Sequence, residues 1–280
     1  MAKRRAALQG AFRACLKKAR TPRRQAFVEV FSGSGTLARR FRQLGFACLA
    51  VDTKHGPEYD VLNKGFRKIL RGWILSSCIL GVSIATPCSS MSQALHGPPG
   101  SSWQRLRSDQ HPLGLPGLDE RGAQKVEAGN QLMRFTVWLV RLCLAARIPV
   151  IVENPYRSFL WQCPEVRSLL AHRFCKAVLF DFCQFNAPWR KRTKIVIWSS
   201  YIPPCSDVLC RGRGGICSQT SKRHIVLSGT DPKSKIMWTK LAGPYPKLFA
   251  AKLASLLIDA CRWLHLSRLL KLVDSQHGRN

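Results

Sequence analysis

The sequence predicts an α/β protein built on a doubly wound, mostly parallel sheet with a small inserted Cys/His-rich module. Short apolar, β-rich runs alternate with helical stretches from residue 27 onward, a pattern typical of strands joined by crossover helices. The chain has 280 residues, 46% of them hydrophobic, which is enough for one sizeable core. A basic, Gly-rich stretch with three cysteines, 203–241, interrupts this rhythm near the C-terminus.

The individual elements follow from the hydrophobic pattern. One helix ends at Gly45, and a longer helix is predicted over Glu127–Arg147. The predicted strands are Phe27–Phe31, Ala47–Asp52, Cys78–Thr86, Pro149–Glu153, Ala177–Phe182 and Thr193–Ser199. The stretch from Ser89 to Asp119 is rich in Gly, Pro and Ser. It is too long for an ordinary connection, so we expect a functional or disordered loop.

These elements divide the chain into five parts. They are a basic N-terminal arm at 1–25, a core at 26–200, an inserted module at 201–238, a helical segment at 239–268 that completes the core, and a tail at 269–280. The arm contains no acid and is expected to be solvated, although Leu8, Phe12 and their apolar neighbours can form one helical stripe. A phosphate-binding arm and an organelle-targeting peptide are the alternatives.

The charge of the chain indicates its partners. Lys and Arg number 45 against 15 Asp and Glu, a formal net charge of +30. Such an excess favours polyanions and disfavours self-association, so we expect a monomer that binds nucleic acid. No stretch has the roughly 18 consecutive apolar residues of a membrane span. The 12 cysteines form no compact disulfide pattern, which favours an intracellular protein, nuclear in a eukaryote and cytoplasmic in a phage or bacterium.

The first motif is a glycine loop that joins a strand to a helix. Gly33 and Gly35 let the backbone approach a ligand at the start of that helix. Asp52 ends the second strand, where a carboxylate can accept hydrogen bonds from two ribose hydroxyls. Together these residues predict a site for a nucleoside cofactor, with an ordinary strand-to-helix turn as the alternative.

The second and third motifs also lie at strand ends. Pro87 and Cys88 follow the third strand, and Glu153 ends the next one. A thiol and a carboxyl group that meet beside a nucleoside site suit nucleophilic attack on a ring with help from a proton. The alternatives are a small buried cysteine and a carboxylate that caps a helix.

The fourth motif lies in the predicted inserted module. Three thiols and an imidazole suit tetrahedral zinc, and these candidate ligands are Cys205, Cys210, Cys217 and His224. Basic residues lie among them, as in a zinc knuckle that touches nucleic acid. Three unrelated reduced cysteines are the alternative.

Taken in order, these motifs resemble the cytosine carbon-5 DNA methyltransferase family, in particular its compact, divergent, phage- or mobile-element-like members. The family order is a Phe-x-Gly-x-Gly loop, an acidic second strand, Pro-Cys, Glu-Asn and an arginine-rich motif. Here the order reads FSGSG, Asp52, Pro87-Cys88, Glu153-Asn154 and APWRKRTKIVIW from Ala187. The resemblance covers about residues 27–200 and 239–260.

The resemblance implies a Rossmann-like S-adenosylmethionine-dependent methyltransferase fold, with 26–200 as the catalytic core and 201–238 as a short target-recognition module. It implies S-adenosylmethionine as the cofactor. The cofactor-binding residues would be Phe31, Ser32, Gly33, Ser34, Gly35, Asp52 and Pro87. It further implies that Cys88 forms a covalent adduct with a flipped cytosine in DNA, assisted by Glu153.

The sequence departs from the family at several positions. Ser89 and Pro155 stand where the family usually has Gln and Val. The last family arginine falls on Thr193, so we expect Arg190 or Arg192 to replace it. Arg105 and Arg107 are further candidates for contacts with the nucleic-acid backbone. Two alternative functions stay open: the same chemistry on RNA, and a catalytically silent nucleic-acid-binding protein with this fold.

Overall fold

A computed structural model describes residues 2–19, 25–93 and 105–277, with side chains described as far as residue 262. The strands are β1 (Ala26–Val30), β2 (Ala47–Val51), β3 (Ile79–Ile84), β4 (Val150–Pro155), β5 (Cys175–Asp181) and β6 (Arg192–Trp198). They form one six-stranded sheet in the order β2-β1-β3-β4-β6-β5. β6 is antiparallel to both neighbours, and the other pairs are parallel. The predicted α/β class with a mostly parallel sheet is therefore confirmed.

Helices cover both faces of this sheet. They are α1 (Ala2–Lys17), α2 (Thr36–Gln43), α3 (Lys64–Leu75), α4 (Glu120–Ala145), α5 (Pro164–Leu170), α6 (Trp238–Leu241) and α7 (Lys247–His277). Residues of α1, α3, α4 and α5 pack on one face, and residues of α2 and α7 pack on the other. Val28 belongs to the first core and its neighbour Phe27 to the second, because successive strand side chains point to opposite faces.

Each predicted strand is present, with ends that differ by a few residues. The long helix α4 starts earlier than predicted, at Glu120, because the Asp119 side chain accepts a hydrogen bond from the Gly122 amide (2.6 Å) and caps it. α7 continues to His277, through most of the predicted tail. Within the described residues, no helix combines the length and apolar character needed to cross a membrane.

The N-terminal segment corrects one prediction, because it is not a solvated arm. Ala2–Lys17 forms α1, and Leu8 and Phe12 are only 1% and 3% exposed. The Phe12 ring stacks on Trp73 of α3 with centroids 3.9 Å apart. The apolar stripe therefore packs on the core, while basic residues such as Arg4 stay exposed. Residues 20–24 of the predicted arm lie outside the described residues.

The inserted module runs along the outer edge of β5. The Val208 amide donates to the Leu179 carbonyl (2.9 Å), and the Asp181 amide donates to the Val208 carbonyl (3.0 Å). These bonds cover backbone groups that an edge strand would otherwise expose. In the segment 204–237, the buried hydrophobic side chains are those of Cys210 and Cys217, whereas Val226 is 74% exposed. The module therefore has no ordinary apolar core.

Replacing Phe12 by Ala tests the packing of α1. The change removes a stacked, buried ring and should lower the free energy of unfolding by about 3 to 5 kcal/mol. Arg13→Ala, at the next and exposed position, is the matched control and should change stability by less than about 0.5 kcal/mol. Urea unfolding measures both. Equal, small effects would mean that α1 does not pack on the core.

Candidate active site and Cys/His cluster

The loop after β1 has an unusual backbone. Gly33 and Gly35 have φ of 50° and 66°, and Phe31 also has a positive φ of 58°. A left-handed phenylalanine is strained, and such strain often marks functional loops. Its ring is held edge-on by Phe135, at a centroid distance of 6.0 Å. Packing against α4 thus helps to hold the loop in this conformation.

Asp52 ties this loop to the end of β2. Its Oδ2 accepts a hydrogen bond from the Gly33 amide (2.9 Å), and its Oδ1 accepts one from the Lys54 amide (3.0 Å). Each oxygen retains a second lone pair. A Cβ added at Gly33 or Gly35 would meet nothing within 4 Å, so the loop faces open space. The predicted glycine loop and acid therefore lie together.

The other predicted cofactor residues lie in or near this region. The Ser32 hydroxyl is 3.4 Å from Nε2 of His55, and Ser34 is exposed. Pro87 is half-buried beside Cys88, after β3. The open loop and the remaining lone pairs of Asp52 fit a nucleoside.

Glu29 is a buried carboxyl group that the sequence reasoning missed. It lies within β1, is 2% exposed, and its Oε2 accepts a hydrogen bond from the Ala38 amide (2.8 Å). This bond satisfies one of the free amides at the start of α2, whose N-cap, Gly35, has no side chain. Burial raises the pKa of Glu29 to about 7, against the hydrogen bond from Ala38 and the charge of Arg42. An acid inside an otherwise apolar strand was the available signal.

The loop that carries Cys88 is fixed to the end of β4. The Asn154 side-chain amide donates a buried hydrogen bond to the Thr86 carbonyl (2.6 Å). The amides of Met91 and Ser92 donate to the Cys88 carbonyl at 3.0 and 2.7 Å. The predicted Pro-Cys and Glu-Asn motifs are thus directly linked through Asn154.

Arg107 holds the same loop from the other side, so the predicted contact with a nucleic-acid backbone is wrong for this residue. It is 0% exposed. Its guanidinium donates to the Ser90 carbonyl and hydroxyl at 3.0 and 2.9 Å and to Asn130 Oδ1 at 2.9 Å, as well as to the carbonyls of Pro112 and Val126. With these bonds it ties the segment after Cys88 to α4. Arg105 is exposed.

Glu153 is buried at the end of β4. Its Oε2 accepts a hydrogen bond from the Tyr245 hydroxyl (3.2 Å), and its buried Oε1 has no hydrogen-bond partner. Burial raises the pKa of Glu153, and the charge of Lys191 opposes this shift. A carboxyl group of this kind tends to keep its proton, so Oε1 or its proton is free to bind a ligand.

Cys88 belongs to the same electrostatic environment. Burial raises the pKa of its thiol, Lys191 lowers it, and Glu153 raises it further. Hydrogen bonds join the segments that carry these residues: Asn154 to the Thr86 carbonyl, Tyr245 to Glu153, and Lys191 to the Ala242 carbonyl. Cys88, Glu153, Lys191 and Tyr245 therefore form one site at the carboxyl edge of the sheet. The sequence reasoning predicted the first two and missed the last two.

Arg190 and Arg192, which the sequence predicted as catalytic residues, both form ion pairs with one buried carboxylate. Arg190 Nε lies 3.1 Å from Asp181 Oδ2, and Arg192 Nε lies 2.9 Å from Oδ1 of the same buried carboxylate. Lys191, between them, instead donates to the Ala242 carbonyl (3.2 Å) and lies over the Phe182 ring at 4.9 Å. The alternation of an extended chain sends residues 190 and 192 to one side and residue 191 to the other.

The side chain of Thr193 lies on the same side of the extended chain as that of Lys191. It pairs with Pro155 of β4, so its side chain lies on the same face of the sheet as that of Glu153, two residues earlier. Its hydroxyl is buried without a hydrogen-bond partner. Unpaired buried polar atoms are rare in folded proteins and often mark a ligand site. Two of them, Glu153 Oε1 and Thr193 Oγ1, lie on this face.

The Cys/His cluster contains one residue that the sequence reasoning missed. Four potential ligand atoms lie within 4.8 Å of one another, and they belong to Cys183, Cys210, Cys217 and His224. This set could hold a zinc ion. Cys205 is not part of it, because its side chain packs against the apolar core formed with α2 and α7. Cys183 takes its place from the 3-10 turn Phe182–Phe185 that follows β5; sequence spacing gave no signal for so distant a ligand.

Comparisons with known proteins give a structural similarity but no match in sequence. No protein-family model and no curated protein matches the chain. The fold is similar to the crystal structure of S. pombe Dnmt2 methyltransferase, with 14% sequence identity and a TM-score of 0.37. The match covers 65% of this chain and 53% of the S. pombe chain, so it spans about half the length of that protein.

The raised pKa of Glu29 predicts a pH-dependent stability. The folded protein keeps the Glu29 proton up to a pKa of about 7, whereas the ordinary value is 4.5. Between these values the folded state binds the extra proton, so the contribution is complete below about pH 4.5 and is lost as the pH rises through about 7. In the wild-type protein this effect should lower the free energy of unfolding by roughly 3 kcal/mol between pH 5 and 8. Glu29→Gln should remove that decrease. Urea unfolding across this range measures it, and an unchanged slope would contradict the shift.

Proposed function

We propose that the chain transfers a methyl group from S-adenosylmethionine to carbon 5 of a cytosine in DNA, with Cys88 as the nucleophile. One observation carries the proposal. A thiol, a buried carboxyl group with one unpaired oxygen, and an amine lie on segments that hydrogen bonds join at the carboxyl edge of the sheet. The crevice at this edge is the usual place for ligands in open α/β sheets.

The residues of the glycine loop fit the cofactor. The loop 31–35 faces open space, and Asp52 keeps lone pairs for ribose hydroxyls. Phe31, Ser32, Gly33, Ser34, Gly35, Asp52 and Pro87 are the residues that would hold it. When bound, S-adenosylmethionine supplies an electrophilic methyl group for carbon 5.

The chain's own groups activate and release the cytosine. The Cys88 thiolate bonds to carbon 6 and pushes the electron pair of the ring double bond toward carbon 5. Glu153, protonated, donates a hydrogen bond to ring nitrogen 3 and stabilises the charge that develops there. After methylation, the carbon-5 proton passes to water. Its electron pair restores the double bond and expels the Cys88 thiolate.

Lys191 has two roles in this scheme. Its charge stabilises the Cys88 thiolate, whose formation burial disfavours. It also supplies the cation that the family places at the position of Thr193, because an extended chain puts residues 191 and 193 on one side. Arg190 and Arg192 are paired with Asp181 instead.

DNA is the proposed substrate, and the net charge of +30 supports a polyanion. The same charge would suit RNA. A cytosine inside a duplex must be flipped out before Cys88 can reach it, at a cost of a few kcal/mol. Duplex DNA, single-stranded DNA and RNA should therefore be tested in parallel as substrates.

Cytosine with fluorine at carbon 5 should trap the Cys88 adduct, because the fluorine cannot leave as a proton. A random-sequence pool containing this base, with S-adenosylmethionine, should give a covalent band on a denaturing gel. Cys88→Ser should abolish the band and lower turnover by at least about 1,000-fold. Cys78→Ser is the matched control, because Cys78 lies just before the first residue of β3, at the end remote from Cys88. This variant should retain the covalent band and the turnover.

Three outcomes would change the proposal. A band with RNA alone would move the substrate from DNA to RNA. A Cys88→Ser protein that methylates at the wild-type rate would remove the mechanism. A wild-type protein that binds all three nucleic acids but methylates none would favour the silent-binder alternative.

Substitution of Lys191 should affect turnover, whereas substitution of Arg192 should affect stability. Lys191→Ala should lower turnover by about 100-fold or more while changing stability little, and Lys191→Arg should restore part of it. Arg192→Ala removes two donors from the buried Asp181 carboxylate and should lower the unfolding free energy by roughly 1 to 3 kcal/mol. Single-turnover methylation and urea unfolding measure the two effects. An active Lys191→Ala protein would rule out its proposed role.

A further inference from the structure

The Cys/His cluster lies where the inserted module meets the core. Cys210, Cys217 and His224 come from the module, and Cys183 comes from the 3-10 turn after β5. The methyl-transfer scheme uses none of these four residues. They are free cysteines and a histidine, with no disulfide among them.

The distances suit one tetrahedral metal ion. Zinc bonds of about 2.3 Å to sulfur and about 2.0 to 2.1 Å to nitrogen place a sulfur and a nitrogen ligand about 3.6 Å apart. Cys210 Sγ and His224 Nε2 are 3.7 Å apart, and all four ligand atoms lie within 4.8 Å of one another. Three thiols and an imidazole are soft ligands that select zinc over magnesium or calcium.

A second shell of donors surrounds the sulfur atoms. The Ser218 amide and hydroxyl lie 3.4 and 3.5 Å from Cys210 Sγ. The Gln184 side-chain amide lies 3.6 Å from Cys183 Sγ and 3.9 Å from Cys217 Sγ. Donors of this kind orient metal-bound thiolates.

The loop between the ligands Cys210 and Cys217 is tightly folded. A Cβ added at Gly212 would clash with the Ile216 carbonyl oxygen. The His224 amide donates to the Gly215 carbonyl (2.8 Å), and the Cys217 amide donates to the Lys222 carbonyl (2.8 Å). The backbone thus brings sequence-distant ligands together in a segment that has no other buried hydrophobic side chains.

We infer that Cys183, Cys210, Cys217 and His224 bind one structural zinc ion that fastens the inserted module to the active-site strands. Four protein ligands complete a tetrahedral shell and leave no open position for catalysis. Cys183 follows Phe182, whose ring contacts Lys191, and Asp181 accepts a hydrogen bond from the Cys210 amide (2.9 Å). The ion therefore holds the module against the segment that presents Lys191.

Metal analysis of variants tests the ligand set directly. Wild-type protein purified without chelator should contain about one zinc per chain. Cys183→Ser should lose it, with affinity lowered by at least about 100-fold in competition with a colorimetric chelator. Cys205→Ser, a change to the cysteine that sequence spacing suggested, is the matched control and should keep the ion.

A second measurement on wild-type protein covers the case in which Cys183→Ser does not fold. Chelation should open the segment 203–237 to limited proteolysis, and added zinc, but not magnesium, should protect it again. Neither measurement depends on methyl transfer, so an inactive enzyme would not affect them. Wild-type protein that neither contains nor binds zinc would overturn the inference. So would loss of zinc from Cys205→Ser with retention in Cys183→Ser.

Discussion

The buried carboxylate of Asp181 joins three parts of the molecule. It accepts hydrogen bonds from Arg190 at 3.1 Å, from Arg192 at 2.9 Å, and from the Cys210 amide at 2.9 Å. Burial alone raises its pKa, but the hydrogen bonds from Arg192 and Cys210 outweigh this and hold the pKa below its ordinary value. The group therefore stays charged inside the protein. It fixes β5 to β6 and the inserted module to both, and it turns the arginines on either side of Lys191 away from the candidate active site.

The directions of the strands determine which residues reach the candidate active site. The carboxyl ends of β1, β2, β3 and β4 lie at one edge of the sheet because these strands are parallel. This edge brings the glycine loop, Asp52, Cys88 and Glu153 together. β6 is antiparallel, so its beginning, rather than its end, reaches the same edge. Lys191 therefore arrives from the segment that precedes a strand, and Tyr245 from the segment that precedes α7.

The sequence was sufficient for the features that depend on local pattern. Short apolar, β-rich runs predicted every strand, and residues at strand ends predicted the glycine loop, Cys88 and Glu153. It was insufficient where tertiary contacts decide. No local signal distinguishes an apolar stripe that packs from one that stays in water, as α1 shows. Cys205 lies within the module and Cys183 in the turn after β5, and only the fold decides which one faces Cys210.

The alternation of side chains along an extended segment decides how the arginine-rich motif is interpreted. A linear motif suggests that the nearest arginine replaces a missing one, which leads to Arg190 or Arg192. In an extended segment, however, a neighbour in sequence points away and the next residue but one points the same way. Thr193 therefore shares its side of the chain with Lys191, two residues earlier, and not with Arg190 or Arg192.

Several acidic residues of the described part of the chain accept hydrogen bonds from backbone amides instead of forming ion pairs. Within the described residues, three ion pairs engage only two carboxylates, those of Glu127 and Asp181. Other acids accept hydrogen bonds from backbone amides: Glu29 at α2, Asp52 at the glycine loop and Asp119 at α4. Among the described residues, the basic side chains in these ion pairs are those of Arg134, Arg190 and Arg192, whereas the chain has 45 Lys and Arg residues in all. Their charge adds little to the fold and repels other copies, whereas a polyanion that binds them gains from the release of its counterions. A surface of this kind is consistent with the nucleic-acid substrate that we propose.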